Sequence, residues 1–237
     1  MSSTLKSFTF AILLGVICSL LLATAATGLR KYQQRNIRID RQKNLLLAVK
    51  LLDETTKDDA KSIEKLFKQN LQVLFVDKTG QIISKTDRKP EDLPIWLYTK
   101  GDQVNAYVVP IDTNGLWGKI HGYLAFEADG TTVRGFTIFK HSETPGLGAE
   151  IEKRWFQKNF VGKKIINPAG KFVSIGIAKG IVQKKISKDK RENYVDGISG
   201  ATLTGKFLTA GLEDILRDYE PVAIKFRRNQ HGKVPRW

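Results

Sequence analysis

The sequence is poor in the residues that build disulfide frameworks and transition-metal centres. Among 237 residues it has one cysteine, Cys18, and three histidines. A single cysteine excludes an intrachain disulfide and a cysteine-rich metal site. His141 has no second ligand at helical spacing, so we expect a hydrogen-bonded loop residue rather than a metal site. No Ser-His-Asp series or pair of carboxylates stands out, and we assign no catalytic residue.

Acidic residues are scarce relative to basic ones. The chain has 39 Lys and Arg against 24 Asp and Glu, a formal net charge of +15. Nucleic-acid binding would need a clustered basic patch, whereas these basic residues are scattered among acidic ones without interleaved aromatic residues. We therefore expect no nucleic-acid partner. Attraction to anionic lipid or to an acidic partner protein explains the charge equally well.

Charged residues are missing altogether from residues 7–29, a nearly unbroken apolar run. As an α-helix this run would extend roughly 35 Å, enough to cross a hydrocarbon core of about 30 Å. A cleaved signal peptide is the alternative, because Ala23-Thr24-Ala25 offers an A-x-A-like site. Signal h-regions are usually shorter, about 7–15 residues. We therefore expect a retained transmembrane helix.

The charges that flank this run do not settle its orientation. Arg30, Lys31, Arg35 and Arg38 follow it, while only Lys6 precedes it. The positive-inside rule would then keep the large domain in the cytoplasm, but long domains translocate largely regardless of flanking charge. Both orientations stay open at this point.

Beyond the membrane, the periodicity of apolar residues predicts an α+β domain. Helical spacing extends over 39–52 and 58–71, and again over 149–160 and 205–219. Residues 85–94 are predicted to form a polar loop. The βα alternation of a doubly wound sheet is missing, so we expect antiparallel β-hairpins with flanking helices. Strands are predicted over 71–76, 104–110, 119–127, 133–140 and 172–178.

A run of small and hydroxyl residues, Asp196-Gly-Ile-Ser-Gly-Ala-Thr-Leu-Thr204, leads directly into the last predicted helix. Small residues allow close approach of a ligand, and free N–H groups at a helix start attract phosphate. An ordinary helix N-terminus, capped by Ser199, Thr202 or Thr204, uses the same groups. A P-loop is excluded because Phe207 stands where Ser or Thr must bind Mg²⁺.

A second glycine loop, His141-Ser-Glu-Thr-Pro-Gly-Leu-Gly148, interrupts the strand pattern. Glu143 and Glu150 lie within or beside it. A carboxylate at either position could hydrogen-bond a ring or hold the loop, and the sequence does not decide between these roles.

Together the two segments resemble the FMN-binding domain family. Asp196-Gly-Ile-Ser-Gly-Ala-Thr202 matches Asp-x-x-Ser/Thr-Gly-Ala-Thr, where a flavin transferase attaches FMN to threonine, and the 141–148 loop is similar to its companion. With the apolar span and the corner Gly115-Leu-Trp-Gly118, the chain resembles the C subunits of sodium-translocating NADH:quinone reductases. The G subunits of Rnf electron-transport complexes share the anchor and both motifs, but the corner favours the C subunits.

The resemblance implies FMN joined to Thr202 by a phosphodiester, made by a separate flavin transferase, with no bound metal. It places the flavin among two sets of contacts. These are Asp196, Ser199, Gly200, Ala201, Leu203 and Thr204 in one segment, and Glu143, Thr144, Gly146, Leu147 and Gly148 in the other.

The resemblance also implies an electron-transfer subunit without a substrate site of its own, working with the other subunits of a sodium-translocating, ubiquinone-reducing complex. Its soluble domain would be periplasmic, on a single pass through the bacterial inner membrane, against the charge rule above. Two alternatives of other classes stay open: an extracytoplasmic sensory or binding module without a redox role, and a basic surface protein that binds nucleic acid or lipid. The expected division is a tail (1–6), a transmembrane helix (7–29), a membrane-proximal region (30–103), the FMN-binding domain (104–225) and a basic tail (226–237).

Overall fold

A computed structural model describes residues 3–53, 59–84, 86–101 and 103–228. The start of the predicted N-terminal tail and most of the basic C-terminal tail, as well as Asp58 at the predicted start of a helix, lie outside these ranges. By internal contacts, residues up to Asp40 form one compact unit and residues from Arg41 onward form another.

The first helix, α1, extends over Ser3–Ala48. Its apolar part confirms the helix expected over 7–29, and α1 is long and apolar enough to cross a bilayer. Hydroxyl groups in this part are satisfied within the helix, since Thr9 and Thr24 each donate 2.8 Å hydrogen bonds to the carbonyl four residues earlier. The helix expected over 39–52 is the continuation of α1 rather than a separate element.

The second unit is built on a six-stranded antiparallel sheet of order β2-β1-β3-β4-β5-β6. Helix α2, Ala60–Asn70, leads directly into β1, and its start is capped by the Asp59 side chain. The strands are β1 (Leu71–Val76), β2 (Ile82–Ile83), β3 (Leu93–Lys100), β4 (Gln103–Asn114), β5 (Lys119–Glu127) and β6 (Val133–Lys140). The predicted α+β class with antiparallel hairpins is confirmed.

Strand β3 was not predicted, and part of it falls in the expected polar loop over 85–94. Pro94 argues against a strand in sequence because it cannot donate a ladder hydrogen bond. In the structure Pro94 lies opposite Phe75 in β1. Its carbonyl accepts a 2.6 Å hydrogen bond from Tyr219, which fixes the strand to the last helix.

Two further predictions are wrong in extent. The strand expected over 172–178 is reduced to β7, Gly176–Ile177, because Ser174 has φ +61° and interrupts the extended chain. The helix expected over 149–160 is a 3₁₀ turn, Gly148–Glu152, followed by α3, Arg154–Lys158, since the extended backbone of Lys153 separates them.

The connection after β7 contains α4, Val182–Lys185, a 3₁₀ turn, Lys188–Asn193, and β8, Tyr194–Val195, which pairs in parallel with β7.

The last helix, α5, extends over Thr202–Arg227 and packs against β4. It begins three residues before the predicted start and continues past Pro221. Its predicted apolar face is confirmed, since Leu208, Leu212 and Leu216 are all buried. At the far end of this face the ring of Tyr107 is stacked between those of Phe126 and Phe226, with centroid distances of 5.1 and 4.4 Å.

Candidate functional site

Three loop segments meet where α5 begins. They are the corner between β4 and β5, the glycine loop after β6, and the turn before α5. They enclose a cavity of about 320 Å³, within the size range of small-molecule sites. Its lining consists of Leu116, Trp117, Glu143, Thr144, Leu147, Gly148, Gly200, Ala201, Thr202, Leu203 and Thr204.

The buried carboxylate of Glu143 joins the three segments. Its side chain is only 5% exposed. One oxygen accepts a 3.0 Å hydrogen bond from the backbone N–H of Trp117, and the other accepts a 2.6 Å bond from the hydroxyl of Thr204. Sequence left the role of this carboxylate open, and the structure shows that both of its oxygens hold the loops.

Two glycines make room for that carboxylate. A Cβ at Gly148 would lie 2.7 Å from Glu143 Oε2 and 2.6 Å from Thr204 Oγ1. A Cβ at Gly115 would collide with Glu143 Oε1. Any larger residue at either position would therefore displace the carboxylate from its two donors.

The two threonines at the start of α5 differ in accessibility. Thr202, the first helical residue, is exposed and lines the cavity. Thr204 is only 2% exposed, and its hydroxyl is already bonded to Glu143. Of the two hydroxyls, only that of Thr202 is open to a modifying enzyme or ligand.

The N-terminus of α5 can accept an anion at this cavity. Ala201 occupies the N-cap position and, among the described residues, provides no side-chain acceptor for the first turn. The first backbone bond of the helix joins Gly205 N–H to Ala201 O at 3.0 Å. The N–H groups of the preceding residues at a helix start have no intrahelical partner, and the helix dipole favours negative charge there.

The turn before α5 depends on Gly200. Its φ of +74° lies in the left-handed region that favours glycine, and a Cβ would lie 2.7 Å from Leu147 Cδ2. Gly200 therefore lets the turn approach the glycine loop closely and keeps the cavity narrow.

The rim of the cavity is apolar and open to solvent. Trp117 is 68% exposed, Leu203 is 52% exposed and Leu147 is 43% exposed. Large exposed apolar side chains around a cavity are typical of binding sites. A helix start that favours an anion, combined with an apolar rim, suits a ligand that has both a phosphate and a flat ring system.

The base of the glycine loop is held by His141. Its Nδ1 accepts a 3.1 Å hydrogen bond from the backbone N–H of Glu143, and its Nε2 lies 3.1 Å from Glu152 Oε2. Burial raises the pKa of the Glu152 carboxyl, but hydrogen bonds from His141 and Lys153 outweigh burial and leave the pKa below its ordinary value of 4.5. His141 is thus a hydrogen-bonded loop residue, as expected.

Nine of the sequence-predicted site residues line the cavity, and three do not. Asp196 accepts a 2.6 Å bond from the backbone N–H of Val182, and so holds the preceding loop. Ser199 and Gly146 are exposed outside the lining. Leu116 and Trp117 line the cavity but were not assigned to it, although the glycine-flanked corner that contains them was visible in sequence.

Comparison with known proteins gives consistent matches. The FMN-binding domain family matches residues 115–217. The C subunit of the Na(+)-translocating NADH-quinone reductase of Vibrio campbellii is 31% identical, covering 90% of this chain and 92% of the relative. The corresponding Haemophilus ducreyi protein is 34% identical, covering 84% of each chain. The crystal structure of the corresponding protein from Parabacteroides distasonis matches with a TM-score of 0.69 at 27% identity, covering 82% of this chain and 96% of that one.

Proposed function

This chain belongs to the family of Na(+)-translocating NADH-quinone reductase C subunits, and on that premise we propose that it is the membrane-anchored, FMN-carrying electron carrier of such a complex. The two relatives compared above are named as C subunits of such a reductase, and the matches cover most of the length of both relatives. Sodium transport and quinone reduction belong, in this proposal, to the assembled complex with its other subunits.

The observation that carries the proposal is the placement of Thr202. Its hydroxyl is exposed on the first turn of α5, beside a cavity. The apolar rim of this cavity suits a flavin ring, and the helix start suits the flavin phosphate. FMN supplies one- and two-electron chemistry when bound. The residues around it hold its phosphate, orient its ring and limit access of water.

We place the phosphate at the start of α5, covalently joined to Thr202. In that reaction the hydroxyl of Thr202 would attack the phosphorus in the FMN half of FAD, the new O–P bond would replace the pyrophosphate bond, AMP would leave, and the hydroxyl proton would pass to solvent. A threonine hydroxyl needs an activating base or metal for this step. Within the described residues no cluster of His, Cys, Asp or Glu could hold a metal ion. We therefore assign this reaction to a separate enzyme, a flavin transferase.

Glu143, Gly148 and Gly200 fix the walls of the flavin cavity in this proposal. Thr144 and Leu147 of the glycine loop and the apolar side chains of Trp117 and Leu203, which all line the cavity, would contact the ring. A tethered flavin stays at a high effective concentration beside its redox partners, so no diffusing substrate need bind. Asp196 holds the preceding loop by accepting the hydrogen bond from the backbone N–H of Val182.

The soluble domain is placed in the periplasm, on a single transmembrane helix in the bacterial inner membrane. The basic residues after the apolar run oppose this placement by charge count alone. The count is weak for a long translocated domain, and family membership favours the periplasmic side. The same family membership favours the reductase over an Rnf complex as the assembly to which the chain belongs.

The test is flavin fluorescence of the chain on a denaturing gel after co-expression with a flavin transferase. Wild type is expected to fluoresce, and Thr202→Val is expected to lose the signal completely. Ser187→Ala is the control, because it removes an exposed hydroxyl that lies outside the motif and outside the cavity lining. The intact mass of wild type should show an FMN adduct that is missing from Thr202→Val. A non-fluorescent wild type would overturn the proposal.

A further inference from the structure

We propose that a one-sided basic face on α1 docks against an acidic face of a neighbouring membrane protein of the complex. This face, the basic stripe, consists of Arg30, Lys31, Arg35 and Arg38. The inference rests on the proposed function, since it takes the partner from the proposed complex. It adds a docking surface that lies outside the cavity beside Thr202.

Helical geometry brings the four residues of the basic stripe to one side. At about 100° per residue they fall within an arc of roughly 140°, which contains one other residue of the segment 30–40, Gln34. All four side chains are exposed. Over the same segment the remaining arc carries no basic residue. It consists of Tyr32, Gln33, Asn36, Ile37, Ile39 and Asp40.

The basic stripe repels itself along the helix. Lys31 and Arg35 are four residues apart, a spacing at which like charges weaken a helix. The first acidic residue of the whole chain is Asp40, and it falls on the other half of the helix. The attraction of an acidic surface to the stripe would offset this repulsion.

Lipid headgroups fit the stripe less well than a protein does. The headgroup layer is only about 5–8 Å thick on each side of the hydrocarbon core and surrounds a spanning helix on all sides. Arg38 lies about 12 Å beyond Arg30 along the helix axis. Headgroups would therefore reach the first residues only, and they would not favour one side of α1.

A topology signal also fails to explain the one-sided arrangement. The positive-inside rule counts basic residues near the span and has no preference for a helix face. A protein surface, by contrast, meets a helix along one side. Complementary charge across such a contact fixes orientation and register, so the partner would set the rotation of α1 about its own axis.

The experiment compares two double variants with the same change in net charge. Lys31→Gln with Arg35→Gln removes two charges from the stripe, and Gln33→Glu with Asn36→Glu adds two negative charges to the other half. Each tagged full-length chain is co-expressed with the remaining subunits, purified from detergent-solubilised membranes at about 0.15 M salt, and scored for co-purified subunits.

The stripe variant is expected to lower the recovery of co-purified subunits at least about fivefold, the size expected for the loss of two charge pairs. The control is expected to retain the wild-type level. Equal recovery for the two variants, whether high or low, would overturn the proposal.

A lipid role is tested by reconstituting the wild-type complex in nanodiscs with and without anionic lipid. If the loss of subunits depends on the anionic lipid and not on the basic stripe, the stripe binds lipid headgroups and the proposal is wrong. Flavin fluorescence of the same samples is read separately. Fluorescence that persists in both variants with equal recovery would refute the docking surface and leave the proposed function intact.

Discussion

The hydroxyl of Thr204 donates a 2.6 Å hydrogen bond to Glu143 Oε2, which joins the first turn of the last helix to a loop 61 residues earlier. This buried bond gives Thr204 a structural role. Thr202, by contrast, is left exposed beside the cavity.

Replacing Glu143 by alanine should destabilise the domain by about 1–3 kcal/mol, because the buried hydroxyl of Thr204 and the N–H of Trp117 both lose their acceptor. Thermal melting of the detergent-solubilised chain, followed by near-ultraviolet circular dichroism, measures the effect. Glu91→Ala removes an exposed carboxylate and is the control. If both variants melt at the same temperature, the carboxylate does not hold the loops together.

Replacing Gly200 by alanine should reduce flavin loading as well as stability. The left-handed backbone costs about 1 kcal/mol, and the new methyl group collides with Leu147 at the cavity. Gly146→Ala is a close control, since Gly146 has φ +73° but no neighbour within 4 Å of its Cβ position. Fluorescence per mole of chain should fall for Gly200→Ala alone. A similar fall in both variants would point to backbone strain rather than to the collision.

Stability should fall in acid through Glu152. Because its folded pKa lies below the ordinary value of 4.5, the carboxylate stabilises the fold above that pH. This contribution is lost as the pH falls below about 4.5 toward the folded pKa. Melting temperatures of wild type and Glu152→Gln should differ at about pH 6, and the difference should shrink as the pH falls below about 4.5. A constant difference across this range would show that ionisation of Glu152 is not responsible.

Cysteine labelling tests the side of the membrane on which the domain lies. In a Cys18→Ser background, an exposed Lys171→Cys should react with an impermeant maleimide in intact cells, because the outer membrane admits small reagents to the periplasm. Ser3→Cys, at the other end of the span, should react only after lysis. Labelling of Lys171→Cys only after lysis would place the domain in the cytoplasm.

Local features of the sequence were enough to predict much of this protein. The uncharged run over 7–29 dictates a helix that is long and apolar enough for a bilayer, since its length and composition depend on no distant residue. Alternating apolar residues likewise predicted the hairpin of β5 and β6. The small residues before Thr202 indicated a helix start that suits a phosphate.

Other features needed partners distant in sequence. Strand β3 was hidden by Pro94, whose place in the sheet depends on the strand opposite and on Tyr219, 125 residues later. The helix expected over 149–160 broke at Lys153, where the backbone is extended. Neither outcome has a local signal.

The site shows the same division most clearly. Sequence placed two hydroxyls, at Thr202 and Thr204, two residues apart at the start of one helix, and chemistry alone does not distinguish them. Only the tertiary structure decides, because it buries one of them against Glu143 and leaves the other exposed. Burial depends on which distant segments pack together, so accessibility is a property of the fold and not of the motif.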